Sequence, residues 1–205
     1  MSRKQYEPYH YDDADSEYTY PDGLVLRNKF DIQEPSLASE KEYLLSAERI
    51  VELNVKPIIV HSMKDVREIH RFIFQDMYTW AGKYRRVNIS KSGKAFMAMQ
   101  TFDTGEQYLD TLIETYWKTA NTKAAIAKQL ADILDNLNHM HPFREGNGRC
   151  QREVILSLAL AKGFDLLLDI ESDDDIYTRY MDGTVYGDVK ILENLVLEIL
   201  EPVDE

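Results

Sequence analysis

The chain has 205 residues, 44% of them hydrophobic and 29% charged, enough for one sizeable core and a small flanking lobe. Its 24 Lys and Arg against 36 Asp and Glu give a formal net charge of −12, which excludes direct nucleic-acid binding through a broad cationic face, because phosphate neutralisation needs clustered cations. The lone cysteine, Cys150, excludes an intrachain disulfide, no apolar run approaches a membrane span, and the polar start Met1-Ser2-Arg3-Lys4-Gln5 is no signal peptide, so a cytoplasmic address with no membrane contact is expected.

Residues 1–23 carry five tyrosines and the acidic run Asp12-Asp13-Ala14-Asp15-Ser16-Glu17, and close at the turn Pro21-Asp22-Gly23. They read as an acidic, Tyr-rich N-terminal arm, solvated unless its tyrosines pack onto the body, while 24–205 reads as one folded domain. Pro35-Ser36 opens a helix to about Leu53, with Leu37, Leu44, Leu45 and the Tyr43, Ala47, Ile50, Val51 set at helical spacing. A second helix starts near Ser62, with Asp65 at a capping-box position, and runs to Trp80 before Ala81-Gly82 stops it.

Tyr84 to Ala98 reads as a hairpin, with Arg86-Val87-Asn88-Ile89-Ser90, a turn at Ser92-Gly93, and Ala95-Phe96-Met97. Helices follow from about Thr104 to Ala120 and from a Thr122 cap through Ile126, Leu130, Ile133, Leu134 and Leu137, and Pro142 ends the latter. Cys150, Val154, Ile155, Leu158 and Ala161 mark another helix, halted by Gly163. Asp165–Ile170 reads as a short strand, Ser172 caps an acidic helix start at Asp173-Asp174-Asp175, and Val189–Leu200 forms a last apolar helix. The fold class is mainly α with a single β-hairpin.

Chemistry concentrates in His141-Pro142-Phe143-Arg144-Glu145-Gly146-Asn147-Gly148-Arg149-Cys150-Gln151-Arg152. A helix, a Gly-Asn-Gly loop and a second helix suit phosphate, because free N–H groups and the positive dipole end meet where the second helix begins. Gly146 and Gly148 permit positive φ and close approach of oxygen atoms, Asn147 offers an amide donor, and Arg149 and Arg152 share a face of the opening turn. Glu145 would repel a bare polyphosphate, so its presence asks for a bridging cation, Mg²⁺ being the usual one. His141 can take a proton from an attacking hydroxyl at neutral pH, and Phe143 points inward as an anchor.

Those twelve residues resemble the signature of Fic domain adenylyltransferases, H-x-F-x-[D/E]-G-N-G-R-x-x-R, at every fixed position. Ile69-His70 through Trp80-Ala81-Gly82 is similar to the family's helix before its flap, Asn88-Ile89-Ser90-Lys91 through Phe96 to the flap hairpin, and Gly187-Asp188 to a pair near the adenine. The resemblance spans about residues 24–200 and implies a Fic-type helical bundle with one β-hairpin flap. It implies transfer of AMP from ATP to a Tyr, Thr or Ser hydroxyl of a target protein, with His141 as base and Glu145 as the Mg²⁺ ligand. Gly146, Asn147 and Gly148 would form the anion hole for the α-phosphate, Arg149 would grip the β-phosphate and Arg152 the γ-phosphate.

The same resemblance makes Lys91, Ser92, Gly93, Lys94, Ala95, Phe96 and Met97 the flap that docks a target segment as an added strand. Ser90, Lys91 and Tyr177 fall at nucleotide-contacting positions, though Lys91 reads equally as a hairpin-tip charge and Tyr177 as a core or surface aromatic. The inhibitory pattern [S/T]-x-x-x-E-[G/N] is missing: outside the signature only Glu193-Asn194 pairs such residues, with Val189 where Ser or Thr belongs. That implies inhibition by a separate small antitoxin protein, in the manner of bacterial toxin–antitoxin pairs, with secretion into a host also open. The competing readings are transfer of another nucleotide or of phosphate, and a nucleotide-binding regulatory module without catalysis.

Overall fold

Helical periodicity over most of the sequence gives a mainly α body. The computed structural model describes residues 9–11, 17–21, 23, 25–91 and 94–203. Its helices are α1 (Pro35–Val55), α2 (Met63–Phe74), α3 (Phe102–Thr119), α4 (Lys123–Met140), α5 (Asn147–Leu160), α6 (Asp174–Tyr186) and α7 (Val189–Ile199). The strands β1 (Tyr9–Tyr11), β2 (Ile89–Lys91) and β3 (Lys94–Ala95) form one antiparallel sheet in that order, and β4 (Phe164–Leu166) pairs antiparallel with β5 (Leu200–Pro202). Among the described residues no helix is long and apolar enough to cross a membrane.

α4 is the centre of the bundle because both of its sides are apolar. Ile126, Ala127, Leu130, Ala131, Ile133, Leu134, Leu137 and Met140 are all buried, and the helix packs against α3, α5 and α7. Thr122 caps it as expected, its hydroxyl oxygen accepting the N–H of Ala125. The capping box at Ser62 and Asp65 starts α2. Tyr116 ties α3 to α5: its buried hydroxyl donates to the Leu158 carbonyl at 2.7 Å.

Four features differ from the sequence reading. α2 ends at Phe74, not Trp80, because the segment at Lys29 captures the next carbonyls: Lys29 N–H donates to Met77 and its Nζ to Gln75. α1 exposes Leu37, Tyr43, Leu44 and Val51 and turns Ala38, Ser46 and Leu53 inward, since its inner face meets polar partners described below. The cap of α6 is Asp173, whose carboxylate accepts two first-turn N–H groups, so the helix begins one residue later than a Ser172 cap implies. Leu200 leaves α7 to pair with Leu166, a strand that helical periodicity conceals.

The end of the N-terminal arm is part of the body. Tyr18 and Tyr20 are buried, with the Tyr18 ring edge-on to Trp80 at 5.8 Å and its oxygen accepting the N–H of Arg86. β1 extends the hairpin from the β2 side, Tyr9 opposite Lys91 and Tyr11 opposite Ile89. Tyr116→Phe keeps the ring and removes the bond to Leu158, so urea unfolding should show a loss of about 1 kcal/mol at an unchanged m-value. An unaltered midpoint would show that this bond contributes nothing.

Candidate active site

The residue before a proline is biased out of the helical region, and His141, ahead of Pro142, ends α4 in the left-handed conformation with φ 45°. The corner is held by Arg85, which is 2% exposed. Its guanidinium donates to the carbonyls of His141 (2.8 Å), Met140 (3.4 Å), Val87 (2.5 Å) and Met97 (2.6 Å), and its own N–H donates to Pro142. One buried cation thus joins the end of α4 to both sides of the hairpin. The imidazole of His141 stacks on Phe96 of the flap at 3.9 Å, and its Nδ1 faces the Asn138 carbonyl at 3.3 Å. A carbonyl only accepts, so this contact places the neutral ring's proton on Nδ1 and the lone pair on Nε2.

His70 of α2 supports the loop from below. It is fully buried: its Nδ1 accepts the Gly82 N–H and its Nε2 donates to the Glu145 carbonyl, both at 2.9 Å. The ring stacks on Phe143 at 3.7 Å. Burial, helped by the Arg149 charge, pulls its pKa down to about 3, so it stays neutral. Asn147 closes the loop on itself, Nδ2 donating to the Phe143 carbonyl and Oδ1 accepting the Phe143 N–H. Its Oδ1 and one N–H of its Nδ2 are therefore committed to the turn. Gly146 has φ 78°, and a Cβ there would lie 2.2 Å from the Phe74 ring, so only glycine fits.

The loop does leave donors open. The backbone N–H groups of Asn147, Gly148 and Arg149 find no acceptor among the described residues, as at any uncapped helix start. Glu145 is half-buried, and its Oε1 accepts the N–H of Gly146. A single carboxylate of this kind suits a cation that arrives with substrate phosphates, since Mg²⁺ takes few protein ligands.

A cavity of about 340 Å³ lies between the flap, the ends of α4 and α5, and α6. His141, Gly148, Gln151 and Arg152 line one side, Lys94, Ala95 and Phe96 the flap side, and Tyr180, Met181 and Thr184 the α6 wall. Lys94 Nζ stands 5.7 Å from the ring of Tyr186, so flap and α6 meet across the mouth. Arg152 faces the Tyr180 ring at 5.9 Å and forms no salt bridge among the described residues, though its charge acts on the neighbouring Glu153.

Several expected contacts lie elsewhere. Arg149 does not line the cavity: its Nη2 pairs with Glu42 at 2.5 Å and its Nη1 donates to Ser46 at 2.9 Å, while its guanidinium covers Phe74. The polar face of α1 captures that fork, and Tyr78 donates to the same carboxylate of Glu42. Tyr177 shares a helix face with Tyr180, Met181 and Thr184 but lies a turn too early to reach the cavity, which Tyr180 lines instead. Ser90 and Lys91 belong to β2, the middle strand, and it is β3 that borders the cavity through Lys94 and Ala95. Ser92 and Gly93 fall outside the described residues. Met97 N–H donates to the His139 carbonyl, which fastens the flap's far end to α4. No group of three or more His, Cys, Asp and Glu suited to a metal occurs among the described residues.

Sequence reasoning missed His70 and Arg85 as supports of the site. A histidine twelve residues before a glycine, or an arginine in a β-leaning stretch, carries no local signal of burial.

Residues 61–159 match the Fic/DOC family. The probable protein adenylyltransferase Fic of Escherichia coli K12 is 28% identical over 189 residues, covering 92% of this chain and 94% of its own length. The protein adenylyltransferase VbhT of Bartonella schoenbuchensis is 27% identical over 91% of this chain and 39% of its own. The BepC protein of Bartonella tribocorum, a VirB-translocated effector with bound AMPPNP, superposes with a TM-score of 0.79 at 22% identity, covering 92% of this chain and 98% of that one. That likeness is one of fold.

Two measurements test the loop's supports. Above pH 6.5 His70 is neutral in both folded and unfolded chains, and its contribution to stability is complete. As pH falls from 6.5 towards 3 the unfolded chain takes up a proton that the folded chain refuses, and stability drops by up to ~1.4 kcal/mol per pH unit. His70→Gln should flatten that part of the profile in urea unfolding, and identical slopes would refute the assignment. Gly146→Ala meets Phe74 and a left-handed backbone together, so it should cost about 2–4 kcal/mol in thermal unfolding.

Proposed function

We propose, from the match of residues 61–159 to the Fic/DOC family, that the chain is a protein adenylyltransferase moving AMP from ATP to a Tyr, Thr or Ser hydroxyl of a target protein. One observation carries the reading: the open N–H groups of Asn147, Gly148 and Arg149 stand at the start of α5, beside a cavity that His141 and Arg152 also line. These donors and the helix dipole receive the α-phosphate. Arg152, which forms no salt bridge among the described residues, takes the outer phosphates, and Arg149 positions the loop from behind through Glu42 and Ser46.

The target hydroxyl attacks the α-phosphorus in line. A new oxygen–phosphorus bond forms as the bond to the β-phosphate bridging oxygen breaks and pyrophosphate leaves, while Nε2 of His141 takes the hydroxyl proton. The Nδ1 contact to Asn138 and the stack on Phe96 keep that nitrogen directed, so orientation and charge neutralisation supply most of the rate. Mg²⁺ carried in with ATP would bind Glu145 and supply charge neutralisation between the phosphates. The target segment lies along β3, whose residues border the cavity.

Control falls to a separate small antitoxin protein. The support for this is internal: Glu193 pairs with Lys190 on α7 at 2.9 Å, and Arg152 forms no salt bridge among the described residues. A bacterial cytoplasm fits the buried, unpaired thiol of Cys150.

Incubation of the purified chain and a cell lysate with ATP labelled at the α-phosphate should mark protein without any activator, and γ-labelled ATP should not. His141→Ala should lower labelling by at least about 100-fold. Label transferred only from the γ position would make the protein a kinase and end this proposal.

A further inference from the structure

We propose that Tyr18 of the N-terminal arm is a positioning residue of the catalytic loop and acts through Arg144, which deepens the adenylyltransferase reading and rests on it. Arg144 occupies a variable position of the signature, between the anchor Phe143 and Glu145, yet it is 5% exposed. A guanidinium so far out of water needs partners in fixed directions. One group that meets it is the ring of Tyr18, 5.9 Å from its central carbon, and that ring is itself 4% exposed.

Tyr18 is a fixed support for that cation. Its hydroxyl oxygen accepts the N–H of Arg86 at 3.1 Å, its ring stands edge-on to Trp80, and its carbonyl accepts the N–H of Arg27 at 2.7 Å. Thr19 bridges to Leu26 and the Tyr20 N–H donates to Val25, so the arm is paired along its last residues. The neighbours of Arg144 are held from α2 instead, Phe143 by the His70 ring and Glu145 by His70 Nε2 at its carbonyl. The turn carrying Glu145 is therefore clamped between α2 and the arm, and Arg144 is its grip on the arm side. Arg86, bonded to Tyr18, directly follows Arg85, whose guanidinium holds the His141 carbonyl. One arm residue thus bears on the loop at both the base and the carboxylate.

Hydrogen exchange of the full chain at the Phe143 N–H, which donates to Asn147 Oδ1, reads the loop without turnover. Tyr18→Leu should quicken that exchange about tenfold more than exchange at the α4 core amides of Leu130 and Leu134. In transfer from α-labelled ATP the same variant should lose about tenfold in kcat at an unchanged KM for ATP, because orientation and not binding is disturbed. Tyr18→Phe keeps the ring and should recover most of both. Arg144→Met should match Tyr18→Leu, and the double variant should lose no more than either single one. Loop and core exchange quickened equally marks plain destabilisation and overturns the inference, as do additive losses in the double variant. A wild type that transfers no label overturns the adenylyltransferase reading itself, while the Phe143 exchange still decides whether the arm holds the loop.

Discussion

Everything at the site depends on a charge that has nowhere to go. Arg85 sits out of water, and a buried guanidinium is tolerated only when its N–H groups are met in fixed directions. Here they are met by carbonyls of the α4 terminus and of both sides of the flap. Because no carbonyl can drift without uncovering the cation, the left-handed corner at His141 and the hairpin behave as one body. Phe96 then sets the imidazole plane from the flap side. Such preorganisation lets a general base act without first being collected into place.

The loop itself is built the same way, from groups whose polar capacity is used up internally. His70, Phe143, Asn147 and Phe74 fill and bond the turn, and the pair of Arg149 with Glu42 fastens its outer edge to α1. What is left over is a small set of unsatisfied donors facing one cavity. Arg152, Lys94 and a helix N-terminus make that cavity locally receptive to anions on a chain of net charge −12, which shows how little the overall charge says about a focused site.

Much of this was legible because it is written locally. The capping box at Ser62, the Thr122 cap, the stop at Pro142 and the apolar faces of α4 each depend on residues within a few positions of one another. The twelve-residue signature named the site for the same reason. What escaped depends on partners distant in sequence. The inward face of α1 is polar because Arg149, about a hundred residues away, needs Glu42 and Ser46, so counting apolar positions chose the outward face. Likewise helical spacing carries α2 on to Trp80, because nothing nearby reveals that Lys29 captures the carbonyls beyond Phe74. Tyr177 lies one helical turn from the part of α6 that lines the cavity: the face is legible in the sequence and the depth along it is not.

The partnering of β1 with β2 has a consequence for solubility. An unpaired strand invites copies of the same chain to stack on it, and the hazard grows with its length. With the far margin of the hairpin already taken, the free margin among the described residues is the two-residue β3. Two residues are too few to template a fibre. The arm thus shields the protein from self-assembly beside the mouth of the cavity.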